Sequence, residues 1–196
     1  MIVSQIMLWA VVIAEAVMII ALARQVGILH ERIAPAGALT LPQSVKAGET
    51  ATPMTLVTTA GPTIEIGGKR DGRSQLVFFA SPDCPVCKSL LPVLRSAAKA
   101  ESGWLDVVLA GDGAADGYRK LARAHGLEDM PMALSEALGR AFGVSKLPYA
   151  VLIDESGRVA STGLVNSREH LESLFVAKEH GVASIQEFLA KRTKEA

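Results

Sequence analysis

Apolar residues are concentrated first in one long stretch: positions 2 to 23, IVSQIMLWAVVIAEAVMIIALA, are interrupted only by Ser4, Gln5 and Glu15. Wound as a helix at about 1.5 Å per residue, they reach roughly 33 Å, the thickness of a bilayer core. No Lys or Arg precedes Arg24, whereas a cleaved signal peptide opens on a basic region and has a shorter apolar stretch. The pattern therefore predicts an uncleaved single-span anchor over residues 1–23. Glu15 is costly in hydrocarbon, so it is protonated, snorkels, or packs against a partner helix. From Arg24 to Ala60 the pattern is broken by Pro35, Pro42 and Pro53 and by Gly27, Gly37 and Gly48. Residues 24–60 read as a juxtamembrane segment and lead-in.

Periodicity returns at residue 61. PTIEIGG alternates as a strand does, and SQLVFFA is a continuous β-rich run of the kind found in a buried central strand. PVCKSLLPVLRSAAKA places Val86, Leu90, Leu91 and Leu94 at helical spacing, with Pro92 predicting a kink. WLDVVLA is a second buried-type strand, GYRKLARAHGL a helix closing at Gly126, and SEALGRAFG a short helix. YAVLIDESGRVASTGLV reads as two strands around a turn at Glu155 to Gly157. REHLESLFVAKEH and SIQEFLAKR close the chain as helices, the last with Ile185, Phe188 and Leu189 on one face. The order βα, βα, ββα, without internal repeat, is the thioredoxin arrangement: an α/β domain over residues 61–196 with a central sheet flanked by helices.

Charge and composition narrow the functions. The chain carries 20 Lys+Arg against 20 Asp+Glu and only 5% aromatics, which argues against a nucleic-acid partner. Two cysteines cannot build a disulfide scaffold, and without a Cys/His quartet no metal site is expected. His30, His125, His170 and His180 are scattered and read as surface or satisfied residues, and Met130 and Met132 around Pro131 as loop packing.

The cysteines fall where the first central strand meets its helix, in Ser81-Pro82-Asp83-Cys84-Pro85-Val86-Cys87. Cys84 then sits at the helix N-terminus, where unpaired N–H groups and the helix dipole favour an anion, and Pro85 suits the first helical position. This makes Cys84 the candidate nucleophile and Cys87, one turn on, the candidate resolving thiol of a dithiol–disulfide exchange site. Inert core cysteines, or half of a zinc site shared between two chains, are the other readings of the pair. Asp83 beside Cys84 disfavours a thiolate and Lys88 favours it, so the net shift has no sign from sequence. A second element points to the same chemistry. Lys146-Leu147-Pro148-Tyr149 precedes the strand YAVLID, where the thioredoxin fold carries a cis-proline against the cysteine pair. Pro148 is the candidate, with Leu147 offering its backbone to an extended client segment; the alternative is a trans proline opening an edge strand.

FFASPDCPVCKSLLPVLRS, the stretch RQVGILHERIAPAGAL and the apolar N-terminus together resemble the MauD family of methylamine utilization accessory proteins, over essentially the whole chain. The resemblance implies an inner-membrane, single-pass, thioredoxin-like protein facing the periplasm. It implies a client, the disulfide-rich small subunit of methylamine dehydrogenase, whose disulfides it would form or rearrange, and leaves room for a membrane redox partner. No cofactor is expected beyond a redox-active Cys84–Cys87 disulfide. Arg24, His30 and Arg32 after the span pull the other way on orientation, towards a cytoplasmic domain, but an oxidising compartment makes the chemistry coherent. The chain departs from thioredoxin itself: Pro-Val stands between the cysteines in place of Gly-Pro, Asp83 in place of Trp, and LVFFAS carries no acid. The direction of electron flow therefore stays open. A thiol reductase of cytochrome c biogenesis type, or a tethered assembly factor without redox turnover, are the alternatives.

Overall fold

The computed structural model describes residues 2–32 and 45–179, in two compact units divided near residue 40. The first contains one helix, α1 (Ile2–Arg32), whose segment Ile2–Leu22 is long and apolar enough to cross a membrane. Its apolar side chains are exposed along that whole segment, as a lipid-facing helix requires. The helix itself runs on past residue 23, the expected end of the anchor. Hydropathy falls at Arg24, but RQVGILHER contains no proline and only Gly27 as a weak helix former, so backbone hydrogen bonding continues to Arg32.

In the second unit, β1 (Met54–Val57) and β2 (Thr63–Ile66) form an antiparallel hairpin. A five-stranded sheet follows, built from β3 (Ser74–Phe79), β4 (Leu105–Gly111), β5 (Met132–Leu134), β6 (Tyr149–Ile153) and β7 (Val159–Leu164), in the order β5-β4-β3-β6-β7. β3 runs parallel to β4 and antiparallel to β6, and all six of its residues are buried. That explains its unbroken apolar run: both faces of the central strand are covered. On one face Leu76 and Phe78 pack against α2 (Pro85–Ala100), α3 (Ala115–His125) and α5 (Arg168–Glu179) through Leu91, Leu121 and Phe175. On the other, Val77 and Phe79 meet Ile66 of the hairpin and Leu138 and Phe142, in and just after α4 (Glu136–Ala141). Pro92 lies inside α2, and α3 closes on Gly126 at φ 64°, the left-handed conformation that glycine adopts without cost.

Three sequence expectations need correction. The folded unit takes in residues assigned to the lead-in, because Ala51 is fully buried and β1 supplies half of the hairpin. Met132 is not loop packing: it opens β5, is 4% exposed, and its carbonyl accepts from Thr59 N–H at 2.9 Å. β5 is a further strand between α3 and α4, pairing in parallel with β4. The helix expected over SIQEFLAKR, with Ile185, Phe188 and Leu189, and His180 lie outside the described residues.

Candidate active site

The site is built at the carboxyl ends of β3 and β4, the edge of an open α/β sheet where ligands bind as a rule. β3 ends at Phe79; Ala80 still donates its N–H to Ala110, and the chain then turns through Ser81, Pro82 and Asp83 into α2. The turn is closed by Cys84 N–H donating to the Ser81 carbonyl at 3.2 Å and by Asp83 N–H donating to Ser81 Oγ at 3.2 Å. Cys84 is the N-cap of α2 in extended conformation, and Pro85 takes the first helical position without losing a hydrogen bond. Cys87 N–H donates to Cys84 Sγ at 3.1 Å, so the sulfur occupies the place of a capping oxygen. The two cysteines are joined as a disulfide, with Cα atoms 5.2 Å apart. Cys87 is wholly buried among Leu90, Leu91 and Leu94, whereas Cys84 is half-buried. A chemical attack from solvent therefore meets Cys84 first.

Leu147 and Pro148 arrive at the same edge from β6. The register pairs Phe79 with Tyr149, so continuing it places Pro148 opposite Ala80. The Leu147–Pro148 peptide is cis, the Pro148 ring is buried, and the Pro148 carbonyl accepts from Val165 N–H at 3.1 Å. Leu147 is different: among the described residues its backbone N–H and carbonyl form no backbone hydrogen bond, and it is 38% exposed. Val86, beside the cysteines, is 42% exposed. Asp83 and Pro85 are also exposed. On the Leu147 side of this edge a cleft of about 260 Å³ opens, lined by Ala80, Asp112, Arg140, Lys146 and Leu147. His125 ends α3 and His170 accepts from Asn166 N–H on α5's first turn, so neither belongs to the site.

Sequence reasoning missed Tyr118. It is 1% exposed, and its hydroxyl donates to the Ala80 carbonyl at 2.9 Å while accepting from Asp112 N–H at 3.2 Å. One phenol thus ties the last residue before the cysteine turn to the residue that follows β4. Burial pushes its pKa up, with the nearby carboxylates of Asp112 and Asp83 adding to the rise, so it stays a neutral donor. The neighbouring backbone is built around it: a Cβ on Gly111 would collide with the Tyr118 hydroxyl, and one on Gly117 would sit 3.2 Å from the Pro82 ring. The only sequence signal was a polar-tipped aromatic at a core position of α3.

Fold and site together define a thioredoxin-like domain with a Cys-Pro-Val-Cys pair at the start of its first packed helix. Residues 46–177 match the Redoxin family model, and a chain described as thiol:disulfide interchange protein DsbE from Chlorobium tepidum superposes with a TM-score of 0.59 at 21% identity, covering 69% of this chain and 99% of that one. Methylamine utilization protein MauD of Paracoccus denitrificans is 40% identical over 100% of this chain and 98% of its own length. MauD of Methylorubrum extorquens is 40% identical over 98% of this chain and 93% of its own. The chain belongs to the MauD family.

Proposed function

We propose that the protein is a membrane-anchored thiol–disulfide oxidoreductase whose chemistry is carried by Cys84 and Cys87. The observation that carries this reading is the asymmetry of the pair: Cys84 half-buried at a helix N-cap and receiving an N–H, Cys87 wholly buried one turn inside. In the oxidising direction a client thiolate attacks Cys84 Sγ, the Cys84–Cys87 bond breaks, and Cys87 leaves as a thiolate. A second client thiolate then attacks the client sulfur of the mixed disulfide, and Cys84 leaves as a thiolate stabilised at the helix start. Two electrons pass from client to domain, and the client's two protons are released or taken up by Cys84 and Cys87. Isomerisation uses the reduced pair instead, with Cys84 attacking and a client thiolate resolving. No further cofactor enters either cycle.

Leu147 gives the client its place. An extended segment pairs with the free Leu147 backbone beside Cys84, and Val86 and Leu147 supply apolar contact. The kinship with MauD proteins points to the methylamine dehydrogenase small subunit as client, and the chemistry to a periplasmic domain held at the inner membrane by α1.

The test is maturation of that dehydrogenase in cells carrying Cys84→Ser. Loss of the matured enzyme with the variant present at normal level is the expected result; normal maturation means that the chain acts by binding alone. A reporter that works only in the periplasm, fused after Ala196, is expected to be active, and activity of a cytoplasmic reporter in its place overturns the orientation.

A further inference from the structure

The one ionisable residue within the Ile2–Leu22 segment is Glu15, and its side chain is exposed. The chain's redox chemistry makes no use of it. At 3.6 residues per turn its neighbours on the same face are Leu8, Val11, Val12, Met18, Ile19 and Leu22, all apolar, so its own helix offers it no donor or cation. About 10 Å of helix separates Glu15 from the Leu22 end of the segment, farther than its side chain reaches, so snorkelling does not bring it to water. A carboxyl at that depth in hydrocarbon is costly and calls for a hydrogen-bonding partner from outside the helix.

We infer that α1 associates in the membrane with a second copy of itself, as a parallel pair joined through Glu15. The inference rests on α1 being a membrane span. A second copy is the occupant that fits, because identical single-span helices inserted in one orientation bring the same residue to the same depth. A carboxyl is also self-complementary: the O–H of one donates to an oxygen of the other, satisfying both groups at once. A symmetric pair along this face brings Leu8 against Leu8 and Leu22 against Leu22, while Ile13 and Val17 point to lipid.

The experiment uses the full chain with Cys84→Ser and Cys87→Ser, purified and reconstituted in phosphatidylcholine–phosphatidylglycerol liposomes. Single reporter cysteines replace Leu8, Leu22 or Ile13, and an added oxidant joins copies that touch. Cross-linking at positions 8 and 22 and not at 13 is expected. Adding Glu15→Leu should lower the yield at 8 and 22 about fivefold, while Glu15→Gln, which still donates and accepts, should keep it. Equal yields at all three positions, no cross-linking, or indifference to Glu15→Leu each overturn the pairing. Alkaline extraction of the same liposomes tests the span separately: release of the chain refutes the membrane reading itself.

Discussion

The two ends of the central strands are held by different physics. At their amino ends, Asp106 takes Arg73 Nε at 3.0 Å and Arg70 Nη2 at 2.9 Å, and Arg73 also donates to the carbonyls of Ser102, Gly103 and Leu105. Buried Gln75 adds bonds to Gly67 and Glu65 that fasten the hairpin to β3. At the carboxyl ends, among the described residues, no ion pair joins β3 to β4: a single phenol, Tyr118, joins Ala80 to Asp112, and the chain beyond is an exposed turn. The contrast teaches where the fold invests rigidity. Charge-assisted bonds lock one end, and the other keeps backbone groups and a sulfur accessible for pairing with another chain.

Cys84→Ser should break the carboxyl end most completely. Thiol–disulfide exchange with a model peptide should fall to the uncatalysed rate while the urea midpoint of the reduced protein stays within about 0.5 kcal/mol of the parent, as for a partly exposed substitution. Residual exchange would give the attacking role to Cys87. Gly111→Ala comes next. Its methyl group has nowhere to go but into the Tyr118 hydroxyl, and overpacking of this kind costs roughly 1–3 kcal/mol. Denaturant unfolding measures the loss, and an unchanged midpoint would mean that α3 shifts freely over the sheet.

Asp106→Ala sharpens the amino end. It leaves two arginines without their shared carboxylate, and because the site is about one-third exposed the cost should be about 1–2 kcal/mol rather than that of a fully buried pair. The hydrogen bond from Arg73, followed by that from Arg70, holds the Asp106 carboxyl below the ordinary range despite the opposing effect of burial. Its contribution is thus present above the unfolded-state pKa and is lost as pH falls through the lower folded-state value. The stability gap between parent and variant should be constant near neutrality and close below about pH 4. A gap that widens in acid would contradict the carboxylate's role. Exchange activity should not change.

These ends were unequally legible in the sequence. The cysteine turn could be read because its signals are local: a buried-strand run, a proline at the first helical position, and two cysteines one turn apart. Pro148 was legible from its place before YAVLID. β1 and β5 were not. MTLV and MAL are too short to show a period, follow Pro53 and Pro131, and become strands only by pairing with distant residues, Ile66 and Leu109 among them. α1 runs past the expected end of the anchor because apolarity sets where lipid contact stops, not where helical hydrogen bonding stops. The Arg70, Arg73 and Asp106 cluster and Tyr118 escaped for a shared reason: each is a tertiary contact between residues 6 to 38 positions apart, with no spacing rule to announce it.

Tyr118→Phe carries the smallest expected effect and the finest test of the comparison. Phenylalanine keeps the ring in the core, so packing with Leu121 and the β3 side chains survives and only the hydroxyl is lost. The Ala80 carbonyl loses its side-chain donor and Asp112 N–H its acceptor. Asp112 lies at the mouth of the cleft and can turn to water, which leaves one buried carbonyl uncompensated and a cost of about 1 kcal/mol. If the two ends are mechanically separate, that loss is local. Amide hydrogen exchange at Cys84 and Cys87 should quicken several-fold, by roughly the factor that 1 kcal/mol implies, while the amides of Ser74 and Leu105 at the other end keep their protection. Faster exchange at both ends would show that β3 transmits the change along its length, and that the arginine clamp and the phenol hold one cooperative unit rather than two.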